Sequence, residues 1–168
     1  MNQTNTKKLA AAALLAAVAV VGSTFSVPVF GSKCAPVQHL VNVLCAVLLG
    51  PFWGVACAFV ASLIRNLTGL GTPLAFPGSM CGALVAGLLY SKVKHILAAC
   101  AGEVFGTAVI GGMLAYPVAS LIMGNSSAAL FTFVIPFLIS TAGGSIIAAV
   151  VLYALKGSGA LSVLQKNI

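Results

Sequence analysis

A chain of 168 residues that is 61% hydrophobic and only 5% charged, with a mean hydropathy of +1.16, lies far from a soluble globular domain, in which about 25% of residues are charged. The formal charge of +7 arises from eight Lys and Arg against one acid, Glu103. These cations are scattered singly rather than striped, which argues against a nucleic-acid surface and leaves an all-α integral membrane protein, a compact bundle of six transmembrane helices in one domain over 1–168.

Six apolar segments approach the roughly 20 residues that cross a bilayer: about 9–29, 36–50, 51–67, 74–91, 95–123 and 128–155. The first follows Lys7-Lys8 and ends in small residues around Gly22-Ser23, as a cleavable secretory signal would. A retained span is the preferred reading, because removal leaves five spans and sets the basic clusters against the orientation rule. Ala12 with Ala16, and Ala13 with Ala17, have the spacing of four that lets helix backbones meet closely in lipid, although any alanine-rich helix contains it.

Before and into the second segment, Lys33 to Asn42 reads Lys-Cys-Ala-Pro-Val-Gln-His-Leu-Val-Asn. With Pro36 as the first helical residue, His39 and Asn42 fall roughly 100° and 40° around the axis from Gln38, so three polar heads share one face. Gly50-Pro51 then separates segments two and three, and two short helices are favoured over one kinked helix. The third segment ends in Arg65-Asn66, and Phe76-Pro77-Gly78 opens the fourth. Gly78, Gly82 and Ala86 form a small-residue stripe, read as helix packing rather than ligand contact.

Glu103 stands about eight residues into the fifth segment, on the order of 12 Å from its inner end by helix rise. It is expected nearer mid-membrane than Arg65, which argues against a direct pair. Three roles are open, in this order: acceptor for a ligand, structural acceptor for neighbouring hydroxyls or amides, and proton carrier. Gly111-Gly112 and Pro117 in the fifth segment, with Pro136 and Gly143-Gly144 in the sixth, predict kinks or partly unwound pieces.

Lys7, Lys8, Lys92, Lys94, Lys156 and Lys166 flank the spans on one side, which puts both termini in the cytoplasm. Lys33 and Arg65 fall at the outer ends instead, where either headgroup snorkelling or ligand contact accounts for them. Cys34, Cys45, Cys57, Cys81 and Cys100 show no Cys-x-x-Cys pairing and no metal-ligand spacing, so no metal is expected. Most read as apolar fillers; Cys34, beside Lys33, is placed outside. The Asn-x-Ser/Thr triplets at Asn2, Asn66 and Asn125 are short enough to occur by chance.

The chain has no Gly-x-x-x-x-Gly-Lys-Ser/Thr loop, no Gly-x-Ser-x-Gly elbow and no His-Glu-x-x-His pair, and no strong inverted repeat relates its halves. It reads as a binder that borrows its energy, not as an enzyme, and no cofactor is expected. Two other classes remain in view. One is an intramembrane enzyme with His39 as base and Glu103 or Arg65 orienting a lipid-linked substrate, disfavoured because His39 and Glu103 are placed at different depths. The other is a small channel or structural subunit, which leaves the clustered polar residues without a purpose.

Lys33-Cys34-Ala35-Pro36-Val37-Gln38-His39, Asn42-Val43, Leu49-Gly50-Pro51, Arg65-Asn66 with Gly69 and Gly71-Thr72, Phe76-Pro77-Gly78-Ser79-Met80, and Gly102-Glu103 with Gly106-Thr107 together resemble the ThiW family. These are substrate-binding S components of energy-coupling-factor (ECF) vitamin transporters. The resemblance implies capture of a thiamine precursor, the hydroxyethyl-thiazole moiety, or else of another small vitamin or precursor. It also implies partners: a transmembrane T subunit, met through Ala12, Ala13, Ala16 and Ala17, and two ATP-binding-cassette ATPases. A small heterocycle with one hydroxyl needs an apolar enclosure and a few polar groups. The expected contacts are Gln38, His39, Asn42, Arg65, Asn66 and Glu103, with Phe76 and Tyr116 as aromatic walls.

Overall fold

In the computed structural model, which describes residues 3–29 and 32–168, the alanine-rich N-terminal run forms α1, Gln3–Gly22. Asn2 of the first triplet lies outside the described residues. The first apolar segment was expected to be helical to residue 29, but after a single 3-10 turn at Ser23–Phe25 the chain becomes extended. Val27–Val29 (β1) pairs antiparallel with Ser32–Cys34 (β2), Pro28 opposite Lys33. Pro28 is the cause: it lacks an N–H for a helix and drives its predecessor, the β-branched Val27, toward extended backbone.

Pro36 is the first residue of α2, Pro36–Leu48. Gly50 turns the chain at φ 87°, a conformation suited to glycine, and Pro51 then starts α3, Pro51–Leu67, so two helices form rather than one kinked helix. α4, Ala75–Val93, ends at Lys94, whose φ of 56° makes it the one non-glycine among the described residues with positive φ. α5 runs continuously over Ile96–Ile122. Its breakers do not unwind it; they accompany two π-helical stretches, Gly106–Gly111 and Val118–Ile122, with Pro117 between them.

The sixth segment begins later than expected. Asn125 Oδ1 accepts from the Ser127 N–H and hydroxyl, and Thr132 Oγ1 accepts from the Ala129 N–H, so local side-chain bonds hold this stretch in turns until α6, Val134–Gly157. A further helix that the sequence reading lacked, α7 (Ala160–Asn167), follows Gly159 at φ 76°. The described residues thus hold seven helices and a small hairpin where six helices were expected. Three stretches, Asn5–Phe25, Ile96–Ile122 and Val134–Gly157, are long and apolar enough to cross a membrane, while α2 and α3 are shorter apolar helices.

Packing centres on α4, which lies against α2, α3 and α5, while α2 also meets α1 and α6. The α4–α5 seam is backbone against backbone. A Cβ on Gly111 would approach Gly78 Cα to 2.6 Å, one on Gly106 would approach Cys81 O to 2.6 Å, and one on Gly102 would approach Ala86 Cα to 2.8 Å. The stripe Gly78, Gly82 and Ala86 is therefore a helix-packing surface. Ala12 and Ala16 are buried with Cys57 and Ala61 of α3, whereas Ala13 and Ala17, on another face of α1, are exposed.

Cys34, expected outside, is only 3% exposed, and its Sγ donates to Pro136 O at 3.3 Å. Burial pushes the thiol pKa up, and the Ser140 hydroxyl pulls it partly back. Since the thiolate is the nucleophile, Cys34 should alkylate more slowly than a free cysteine, with a pH midpoint displaced upward. Mass spectrometry after timed iodoacetamide exposure at several pH values checks this; modification at the free-cysteine rate contradicts the buried position.

Candidate functional site

The polar block on α2 turns inward. Gln38, His39 and Asn42 are 2%, 8% and 1% exposed, and all three point toward α3, α4 and α5. Their focus is Glu103, which is wholly buried. Its Oε1 lies 2.8 Å from His39 Nδ1 and accepts from Asn42 Nδ2 and Thr107 Oγ1, each at 3.0 Å. A carboxyl oxygen that takes this many donors acts as an acceptor, and His39 completes the set when its proton sits on Nδ1. Thr107 stands one turn after Glu103 on the π-helical stretch and also approaches Gly78 O at 3.2 Å.

Gly82 makes the cluster possible. A Cβ there would strike Thr107 Oγ1 and come within 2.6 Å and 2.7 Å of the Glu103 carboxylate oxygens, so the acid rests directly on the α4 backbone. On the other side, a Cβ on Gly144 of α6 would strike Pro36 O and come within 2.6 Å of His39 Cβ. Two glycines on two helices thus set how closely α4 and α6 approach the His39–Glu103 pair.

Arg65, at the last turn of α3, is 3% exposed and reaches inward rather than to lipid headgroups. It does not touch Glu103. A relay joins them instead: Arg65 Nη1 donates to Gln38 Oε1 at 3.1 Å, Gln38 Nε2 to Asn42 Oδ1 at 3.3 Å, and Asn42 Nδ2 to Glu103. Asn42 also donates to Ser79 O at 3.0 Å, and the Ser79 and Ser62 hydroxyls are 2.9 Å apart. Arg65 Nε, Glu103 Oε2, Thr141 Oγ1 and Ser145 Oγ are buried without hydrogen-bond partners among the described residues.

The different depths expected for His39 and Glu103 are overturned. His39 Nδ1 lies 2.8 Å from Glu103 Oε1, so the two side chains meet at one height. The first turn of α2, a helix of 13 residues, thus lies beside residue 103, well inside the longer α5. The depth objection to a working His39–Glu103 pair therefore falls.

A cavity of about 40 Å³ opens beside this cluster, walled by Gln38, His39 and Arg65 together with Ser79, Thr107 and Phe137. Asn42 and Glu103 stand directly behind the walls. Three predicted contacts lie elsewhere. Asn66 Nδ2 donates to Ser62 O at 2.8 Å and Thr72 O at 3.0 Å, tying the end of α3 to the following loop. Phe76 packs against Phe59 at 5.6 Å between ring centroids, and Tyr116 is half-buried on α5 away from the cavity.

Phe137 supplies the aromatic wall that Phe76 and Tyr116 do not. The sequence carried a signal for it: Phe137, Ser140, Thr141, Gly144 and Ser145 recur at helical spacing and mark one small-polar face of α6. Thr107 was legible too, as a hydroxyl four residues beyond the sole acid. Lys33 joins the walls, its Nζ donating to Gly69 O at 3.0 Å. No curated protein and no solved structure matches the chain. A family model described as thiamine-precursor transporter protein (ThiW) matches residues 9–158, taking in the whole polar cluster, and the chain belongs to that family of membrane transport proteins.

Proposed function

We propose that this chain is the substrate-binding S component of an ECF-type transporter and captures a thiamine precursor, hydroxyethyl-thiazole, from outside the cell. One observation carries the reading: the relay from Arg65 to Glu103 borders, through Arg65 and Gln38, a small cavity with polar and aromatic walls on the side opposite most of the basic residues. In this reading six helices, α1 to α6, cross the membrane as a single domain with both termini in the cytoplasm. The short α2 and α3 join by the Gly50-Pro51 turn, and the hairpin β1–β2 lies at the outer mouth.

Gln38, His39 and Arg65 offer the hydrogen bonds that orient a ring nitrogen and a hydroxyl, and Phe137 offers a flat apolar wall. Asn42 and Glu103 hold those side chains in place from behind. At about 40 Å³ the cavity has room for a few waters, whereas small-molecule sites run to about 300 Å³ and more, so capture requires the walls to part. Lys33, one of the lining residues, is tied to Gly69 O, and that bond must break or shift if Lys33 moves with the walls.

A transmembrane T subunit and two ATPases supply the energy. On α1 the exposed Ala13 and Ala17 are the residues free to meet the T subunit, since Ala12 and Ala16 already pack against α3. Titration of the purified protein with thiamine and with each of its two halves tests the assignment. His39→Ala or Asn42→Ala should weaken binding by about 1–3 kcal/mol, the cost of unpairing a buried polar group, and Lys94→Ala should leave it unchanged. Equal affinities in all three, or turnover of ligand without the ATPases, overturns the reading.

A further inference from the structure

We propose a second binding site, for the phosphate group of an anionic molecule, in a cleft at the opposite end of the helices from the His39–Glu103 cluster, and we take a lipid headgroup as the source. The inference does not rest on the capture reading. The cleft encloses about 560 Å³, within the range of small-molecule sites. Its floor is apolar, from Val47, Ile96 and Leu161, while Lys94, His95 and Lys156 stand at its rim.

Among the described residues neither Lys94 nor Lys156 forms a salt bridge. Glu103 is the only acid in the chain, and it is engaged with His39 at the far cluster. Lys94 and Lys156 thus face the cleft with no carboxylate side chain available to balance them. His95 Nδ1 accepts from Leu97 N at 3.3 Å, so a neutral ring carries its proton on Nε2 and offers a further donor.

The cleft is also built. Leu161 anchors α7 in the core, and Gln165 Nε2 donates to Val47 O at 3.1 Å and to the Tyr90 hydroxyl at 3.0 Å. Tyr90 accepts in that bond and keeps its own O–H free to donate. Lys94 adopts the positive φ that favours glycine, and its Nζ lies 5.6 Å from the Tyr90 ring centroid.

The lipid source follows from α7. Val163 and Leu164 on its outer face are exposed beside Lys166, the mixture of apolar and basic groups that lies in a membrane interface. A headgroup entering over this helix would bring its phosphate between Lys94 and Lys156.

The test uses the full chain in a neutral detergent at fixed ionic strength. Unfolding temperature is followed with dioctanoyl phosphatidylglycerol, with dioctanoyl phosphatidylcholine, and with inorganic phosphate. The expected result is a saturable rise with phosphatidylglycerol that exceeds the rise with phosphatidylcholine. It should be lost in Lys94→Gln/Lys156→Gln, retained in Lys94→Arg/Lys156→Arg, and retained in Lys7→Gln/Lys8→Gln, which removes the same charge elsewhere. The same pattern with inorganic phosphate alone supports the site and assigns free phosphate as its occupant. Equal rises with both lipids, equal losses in the two glutamine variants, or no saturable rise with either phosphate probe overturns the proposal.

Discussion

Glu103→Ala should lower the unfolding free energy by about 3 kcal/mol, on the order of 1 kcal/mol for each of three buried donors that lose their acceptor. Three side chains on two helices lose their common acceptor: His39 and Asn42 on α2, and Thr107 on α5 itself. All three are buried, so each donor left without its acceptor carries a desolvation cost, least for Thr107, which also reaches Gly78 O. Glu103→Gln keeps one oxygen of the same shape in the same place and should cost markedly less. Denaturant titration of both variants in detergent, followed by helix signal, checks the order. A loss for the Ala variant under about 1 kcal/mol, the size of a single ordinary hydrogen bond, would mean that Oε1 does not hold the cluster together.

Gly82→Ala comes next in size, at about 1–3 kcal/mol for an inserted methyl in a packed interior. Here the added carbon meets the Thr107 hydroxyl and both oxygens of the Glu103 carboxylate, the end of a side chain that its bonds to His39, Asn42 and Thr107 hold in place. The helices must separate or the acid must turn, and either movement disturbs the His39 contact. Thr107→Ala removes the nearest obstacle. The double variant Gly82→Ala/Thr107→Ala should therefore be more stable than the sum of the single losses predicts, a coupling that a double-mutant cycle reads directly. Strict additivity would show that the two residues do not touch.

What the sequence disclosed and what it withheld have separate physical causes. Gly50-Pro51 was decisive because a fixed proline φ and a glycine turn are covalent constraints, and α3 begins and ends at the residues expected, 51 and 67. The inward face of α2 was legible for a similar reason, since Gln38, His39 and Asn42 are polar against an apolar background. The hairpin and α7 escaped notice because two strands of three residues and a helix of eight carry too little periodic pattern.

Phe76 and Tyr116 were placed by residue type alone. On helices that are apolar nearly all round, hydropathy does not say which face turns inward. The meeting of Glu103 with His39 was hidden at another level, because helix heights depend on which residues share a layer. Only the folded chain, in which His39 meets Glu103 at 2.8 Å, fixes that.

The seam between α4 and α5 bears on how accurately the cluster is held. At Gly78 against Gly111, Gly82 against Gly106 and Ala86 against Gly102, neither partner has a rotamer to choose. No side-chain freedom is surrendered when these surfaces meet, and none remains afterwards to let the spacing drift. The separation of the two helices is a contact distance between main chains, set without any side chain in between. Glu103 and Thr107 project from one edge of this ruler, and Ser79, with its Asn42 contact, from the other.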